Sequence, residues 1–153
     1  LVSMGTLFYA MLAMYVIYKI INRSTADRLT SILVCILCFA ATPMFFYTFR
    51  QPITAHITTL LFTSLIVLAF TLFDEDCLDT KFSGIIFGVL FGMAVINRWT
   101  ALFIGILPIT YFGFIFFRNY KMGGLKTTRP ILLQILVFIA TFMITISPQI
   151  ILW

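Results

Sequence analysis

The chain has 153 residues, 62% of them hydrophobic and only 10% charged, with a formal net charge of +5. That balance excludes a soluble domain, and the apolar stretches run too continuously for the alternating strands of a membrane barrel. The pattern is that of an all-α, polytopic transmembrane helical bundle of about six spans, each drawn against the roughly 20 residues that cross a bilayer core. The positive charge lies in loops and at span ends, so it reports topology; membrane lipids are the expected surroundings and no nucleic acid is expected as a partner.

Leu1 already lies in an apolar run, without the basic leader and small-residue cleavage site of a signal peptide. Trp153 closes the sequence still among apolar residues. The expectation is therefore an internal piece of a longer protein, part of a single transmembrane domain truncated at both ends. Span one is residues 1–21, followed by the short basic loop 22–28, NRSTADR. Span two, residues 29–49, carries Cys35 and Cys38 one helical turn apart. In so apolar a setting these thiols read as packing or lipid-facing groups, since a redox or metal pair needs polar, accessible surroundings.

Between spans two and three stands Thr42–His56, TPMFFYTFRQPITAH, where Tyr47, Arg50, Gln51 and His56 gather. Polar side chains at membrane depth are costly, so such a cluster marks a functional site by default. Pro52 bars helix from continuing at Gln51. Span three is residues 53–73, and the acidic loop 74–81, DEDCLDTK, follows. Its carboxylates invite a metal reading, but a solvated loop away from the other polar motifs explains them better.

Residues 82–117 are apolar except for Asn97 and Arg98. A straight helix of that length would reach about 54 Å against roughly 30 Å of hydrocarbon. The chain must fold back, and Asn97-Arg98 is the turn. Span four is then residues 82–96, short or re-entrant, and span five residues 99–117. Gly84, Gly88 and Gly92 form a flat stripe on span four, which suits close helix packing within the chain. After the basic loop 118–129, RNYKMGGLKTTR, span six runs over residues 130–153, with an interruption expected at Ser147-Pro148-Gln149.

The positive-inside rule makes loops 22–28, 74–81 and 118–129 cytoplasmic. Arg50–His56, Asn97-Arg98 and the end of span six then converge on the opposite face. Arg50 and Arg98 are permanent cations able to grip a phosphate with paired donors, with Gln51 and Asn97 as neutral partners. His56 opens span three, where helix-terminal N–H groups favour an anion, and Tyr47 offers a hydroxyl at that depth. Each also has a plainer role: Arg50 as a snorkelling anchor, Tyr47, Trp99 and Trp153 as belt aromatics, and His56 as a packing residue. No P-loop, HExxH or GxSxG motif is present.

TPMFFYTFRQPITAH resembles a segment of the polytopic GT-C glycosyltransferases, a group that includes bacterial relatives of the dolichyl-phosphate-mannose protein mannosyltransferases. Gly84–Phe112, GIIFGVLFGMAVINRWTALFIGILPITYF, is similar to that group's recurring "G-LLG-LA-L-R-TALLL-LP" segment, with Arg98 at its basic position. SPQIILW, Ser147–Trp153, is similar to the entry to a later non-cytoplasmic loop in some members. The resemblance implies a multi-pass enzyme, expected in the bacterial cytoplasmic membrane, that moves a sugar from a polyprenyl-phosphate-linked donor to an acceptor at the non-cytoplasmic face. Arg98 would contact the lipid phosphate, and Arg50, Gln51 and His56 would line the pocket. The group's catalytic acid lies in the first non-cytoplasmic loop, so here it is expected before Leu1, leaving no catalytic residue and no resident metal in this sequence; a divalent cation is conceivable only in the longer protein. These residues alone are then expected to be inactive, for want of a general base. The alternative is a segment of a multi-span transporter or flippase, in which Arg98 and His56 line a solute path.

Overall fold

The computed structural model describes residues 2–49, 55–74, 82–123 and 125–152. Every regular element among them is helical: α1 (Val2–Thr25), α2 (Arg28–Ala41), α3 (Met44–Phe49), α4 (His56–Asp74), α5 (Ser83–Asn97), a 3-10 helix (Trp99–Gly105), α6 (Ile106–Gly123) and α7 (Leu125–Leu152). The helical bundle expected from composition is what the chain forms. Four segments are long and apolar enough to cross a membrane, Met4–Thr25, His56–Phe73, Trp99–Lys121 and Thr128–Leu152, and the helices Arg28–Ala41 and Ser83–Asn97 are shorter apolar companions. This is an integral membrane protein.

α5 is the centre of the bundle. Its inward positions, Phe87, Phe91, Ala94 and Val95, join Ile66, Ala69 and Phe73 of α4 and Tyr111 and Phe112 of α6 in one buried cluster. The Phe73 and Phe87 rings lie 5.5 Å apart, where α4 ends and α5 begins. Arg98, just past the end of α5, reaches His56 at the start of α4. The two helices are therefore antiparallel, with the 15 residues of α5 lying along the 19 of α4. Farther along, Gly105 sits against Phe91 and Phe112 against Phe87 at 6.0 Å. Those contacts step backwards along α5, so the chain folds back at Asn97-Arg98 as the apolar length required.

The glycine stripe faces α7. A Cβ on Gly88 would come within 2.8 Å of the Phe138 carbonyl, and one on Gly92 within 2.7 Å of Thr145 Cβ. Thr141 Oγ1 donates to the Gly84 carbonyl at 3.4 Å, and Ser83 Oγ to Gln134 Oε1 at 3.2 Å. Contacts ascend together on both helices, so α5 and α7 are parallel and the stripe packs within the chain.

Several boundaries differ from the sequence expectation. α1 continues to Thr25, and loop 22–28 shrinks to Ala26-Asp27. Ala26 adopts φ 54°, and its N–H bonds the Asn22 carbonyl at 3.0 Å, an αL cap. Span two is not one helix: it stops at Ala41 and restarts at Met44, because Pro43 has no N–H to give a continuing ladder. The break expected at Gln51-Pro52 lies outside the described residues, as does most of the acidic loop. Span five opens as 3-10 helix and becomes α only at Ile106. Pro108 then falls in the first turn of α6, where a missing N–H costs nothing.

The basic loop 118–129 is largely helical, with α6 reaching Gly123 and α7 starting at Leu125. Helices run on past the hydrocarbon when nothing but polarity stops them, and α6 ends at a glycine, Gly123. α7 is also continuous through Pro148. Pro148 frees the Ile144 carbonyl, and Ser147 Oγ donates to that carbonyl at 2.8 Å. A neighbouring hydroxyl thus replaces the lost backbone bond, which lets a membrane helix keep its proline.

Candidate functional site

Arg98 follows the last turn of α5 in an extended conformation, φ −155° and ψ 123°, with its N–H still bonded to the Ala94 carbonyl. The backbone leaves the helix there while α5 fixes its position, and the Ala101 N–H closes the turn on the Arg98 carbonyl at 2.9 Å. The guanidinium crosses to the imidazole of His56: Nη1 contacts Nδ1 and lies 3.3 Å from Nε2. A guanidinium has only donors, so the contacted ring nitrogen accepts and the imidazole in this pair is neutral.

α3 supplies the third member. The break at Thr42-Pro43 turns Met44–Phe49 so that Met44 and Thr48 are buried. Tyr47 then stacks on His56, ring centroids 4.0 Å apart and planes 17° from parallel. His56 is thereby held between an aromatic face and a cation, at the N-terminus of the 19-residue α4. Beside it lies a cleft of about 400 Å³, lined by Ile17 of α1, Cys38 of α2, Thr42 just past α2, Tyr47, and Ile57 and Leu60 of α4. That size and apolar lining suit a ligand site.

The structure brings together Arg98, His56 and Tyr47. Asn97 is adjacent but turns back on its own helix, donating from Nδ2 to the Met93 carbonyl at 2.7 Å. Arg50 and Gln51 lie outside the described residues. The end of α7 shares this end of the bundle, since Thr145 already stands level with Gly92. Asp27 caps the start of α2 and Asp74 ends α4, both at the opposite end of the bundle, so no carboxylate among the described residues neutralises Arg98. Among the described residues no group of three His, Cys, Asp or Glu side chains gathers to hold a metal.

Two features escaped the sequence reading. Tyr47 contributes its ring face rather than its hydroxyl, and Pro43, which shapes the cleft, was overshadowed by Pro52. Tyr47 and His56 stand nine positions apart, and no periodicity between them signals that their rings meet. Comparison with protein-family models, with curated proteins and with solved structures finds no match.

Proposed function

We propose that this chain is part of an integral membrane glycosyltransferase of GT-C type. It takes a sugar from a polyprenyl-phosphate-linked donor and passes it to an acceptor at the non-cytoplasmic face of a bacterial cytoplasmic membrane. The observation that carries the reading is the contact between Arg98 and His56 beside an apolar cleft. A permanent cation with no carboxylate partner among the described residues, next to a groove for a hydrocarbon chain, suits an amphiphile with a phosphate head. The sequence resemblance, which puts Arg98 at a basic position of that group, supports the choice of substrate.

In this reading Arg98 holds the phosphate and stabilises the negative charge that grows on it as the sugar departs. Tyr47 and His56 fix the geometry of the head, and Ile17, Ile57 and Leu60 receive the first part of the chain. The basic ends of α1 and α6 face the cytoplasm. The test is transfer of labelled sugar from polyprenyl-phosphate donors by the full-length protein in membranes, wild type against Arg98→Ala. Transfer should fall at least 100-fold in a folded Arg98→Ala protein, on the scale of losing one charge-stabilising donor, about 10²–10³ in rate. Absence of transfer by the wild type with every donor would move the reading to transport.

A further inference from the structure

We infer that the Arg98–His56 pair selects its ligand by charge: neutral His56 accompanies a singly charged phosphodiester, and protonated His56 a doubly charged phosphate monoester. His56 is the single histidine of the chain. Its imidazole accepts from Arg98, so the described residues of the pair carry one positive charge. A phosphodiester, always singly negative, cancels that charge without any proton moving.

A phosphate monoester is different. Its second ionisation lies near pH 6, so at neutral pH it brings close to two negative charges. In an apolar cleft, an uncancelled charge is costly. The described elements around His56 are α1 with Ile17, α2 with Cys38, α3 with Tyr47, α4 with Ile57 and Leu60, and the turn with Arg98. Of these side chains Arg98 is already charged, and Tyr47 and Cys38 would add negative charge on ionising. His56 alone can take up a proton and supply the second positive charge. A stacked Tyr47 face beneath the ring stabilises the imidazolium by cation–π attraction. With a dianion between them, Arg98 and His56 become two donors on one phosphate instead of a donor and its acceptor.

The site itself belongs to the function proposed above, and the inference adds what it distinguishes. Departure of a sugar converts a phosphodiester lipid into a phosphate monoester, so the same pair would meet both forms, and release of the second would return the proton.

The test is imidazole ¹⁵N NMR of the histidine-labelled protein, full chain, at pH 7.5, in phosphatidylcholine vesicles. These 153 residues hold one histidine, and the resonance that is lost in His56→Gln is the one followed. Added phosphatidic acid, a phosphate monoester, should move the resonance to the imidazolium position; added phosphatidylglycerol, a phosphodiester, should leave it neutral. Inorganic phosphate in place of phosphatidic acid separates the sources. The same shift with the free ion assigns the site to the phosphate dianion alone, and a shift only with the lipid assigns it to the dianion on a hydrocarbon chain. An imidazole that stays neutral with phosphatidic acid, or is protonated equally by phosphatidylglycerol, overturns the inference. Arg98→Gln should abolish the shift, and because the decisive comparison uses wild type, a poorly folded variant leaves it intact. Sugar transfer is measured separately, so a protein that transfers nothing yet shows the shift refutes the enzyme reading and keeps this one.

Discussion

Asp27 shows how one side chain starts a helix. Its carboxylate accepts from the N–H groups of Leu29 at 3.2 Å and Thr30 at 3.0 Å, and from the Thr30 hydroxyl, satisfying donors that a helix start leaves open. The Thr30 hydroxyl first, then the two N–H groups, hold its carboxyl below the usual carboxylate range. A lowered value in the folded state means that the contribution is complete above the ordinary carboxylate pKa of about 3.9 and vanishes as pH falls through the residue's own lower value. Thermal unfolding of wild type and Asp27→Ala in detergent should therefore differ at pH 6 and converge as the pH drops below about 4. An unchanged difference at low pH would show that the charge is not what caps α2. The candidate site was partly legible at this scale. Arg98 and His56 stand out because almost nothing around them is polar, yet their contact joins residues 42 apart in sequence, and no local pattern encodes it.

Elements obey different rules. The alternation of apolar runs and polar breaks gave the crossing segments, because hydrocarbon thickness sets helix length directly. It did not give their ends: α1, α6 and α7 extend through residues whose polarity suggested loops, since water tolerates helix as readily as coil. Nor did it give the 3-10 segment Trp99–Gly105, which lies against α5 with Gly105 on the Phe91 ring. The glycine stripe was legible as a packing surface, but its partner was not. Thr141 and Thr145 on α7 repeat the same four-residue spacing, and they are what the glycines receive. Gly88→Ala would push a methyl into Thr141 and toward the Phe138 carbonyl, costing about 1–3 kcal/mol by overpacking. Gly113 has nothing within 4 Å of its missing Cβ, so Gly113→Ala should be neutral or gain up to about 1 kcal/mol from helix propensity. Denaturation of the two variants in mixed micelles checks the contrast; equal stability would mean that α5 and α7 are not in close contact.

At the scale of the whole molecule, the antiparallel pairing of α4 with α5 and the parallel pairing of α5 with α7 put Ala26 and Trp99 at opposite ends. In a variant lacking its native cysteines, Ala26→Cys and Trp99→Cys should react with a membrane-impermeant thiol reagent from opposite sides of sealed vesicles. Reaction of both from one side would mean that an odd number of the intervening helices fails to cross. The pairing is secured chiefly by α5, whose buried face carries Phe87, Phe91 and three glycines: Phe87 meets the rings of Phe73 on α4 and Phe112 on α6, while Phe91 stacks on Phe142 of α7 beside the bare backbone of the glycines.

α2 has only 14 residues, so as helix it rises about 21 Å where the hydrocarbon is about 30 Å deep. Leu29, Leu33, Ile36 and Leu37 on its flank are exposed and stand against lipid. A helix too short for its bilayer draws the two leaflets together around it. A bilayer that adapts to α2 in this way would be thinned beside it, and Thr42-Pro43, the rim of the cleft beside His56, stands at one end of that stretch. The mismatch of about 9 Å is shared between two leaflets, so such thinning would bring headgroups a few ångströms nearer the level of Arg98. The early end of one helix thus shortens the climb that any lipid must make between the bilayer and the site.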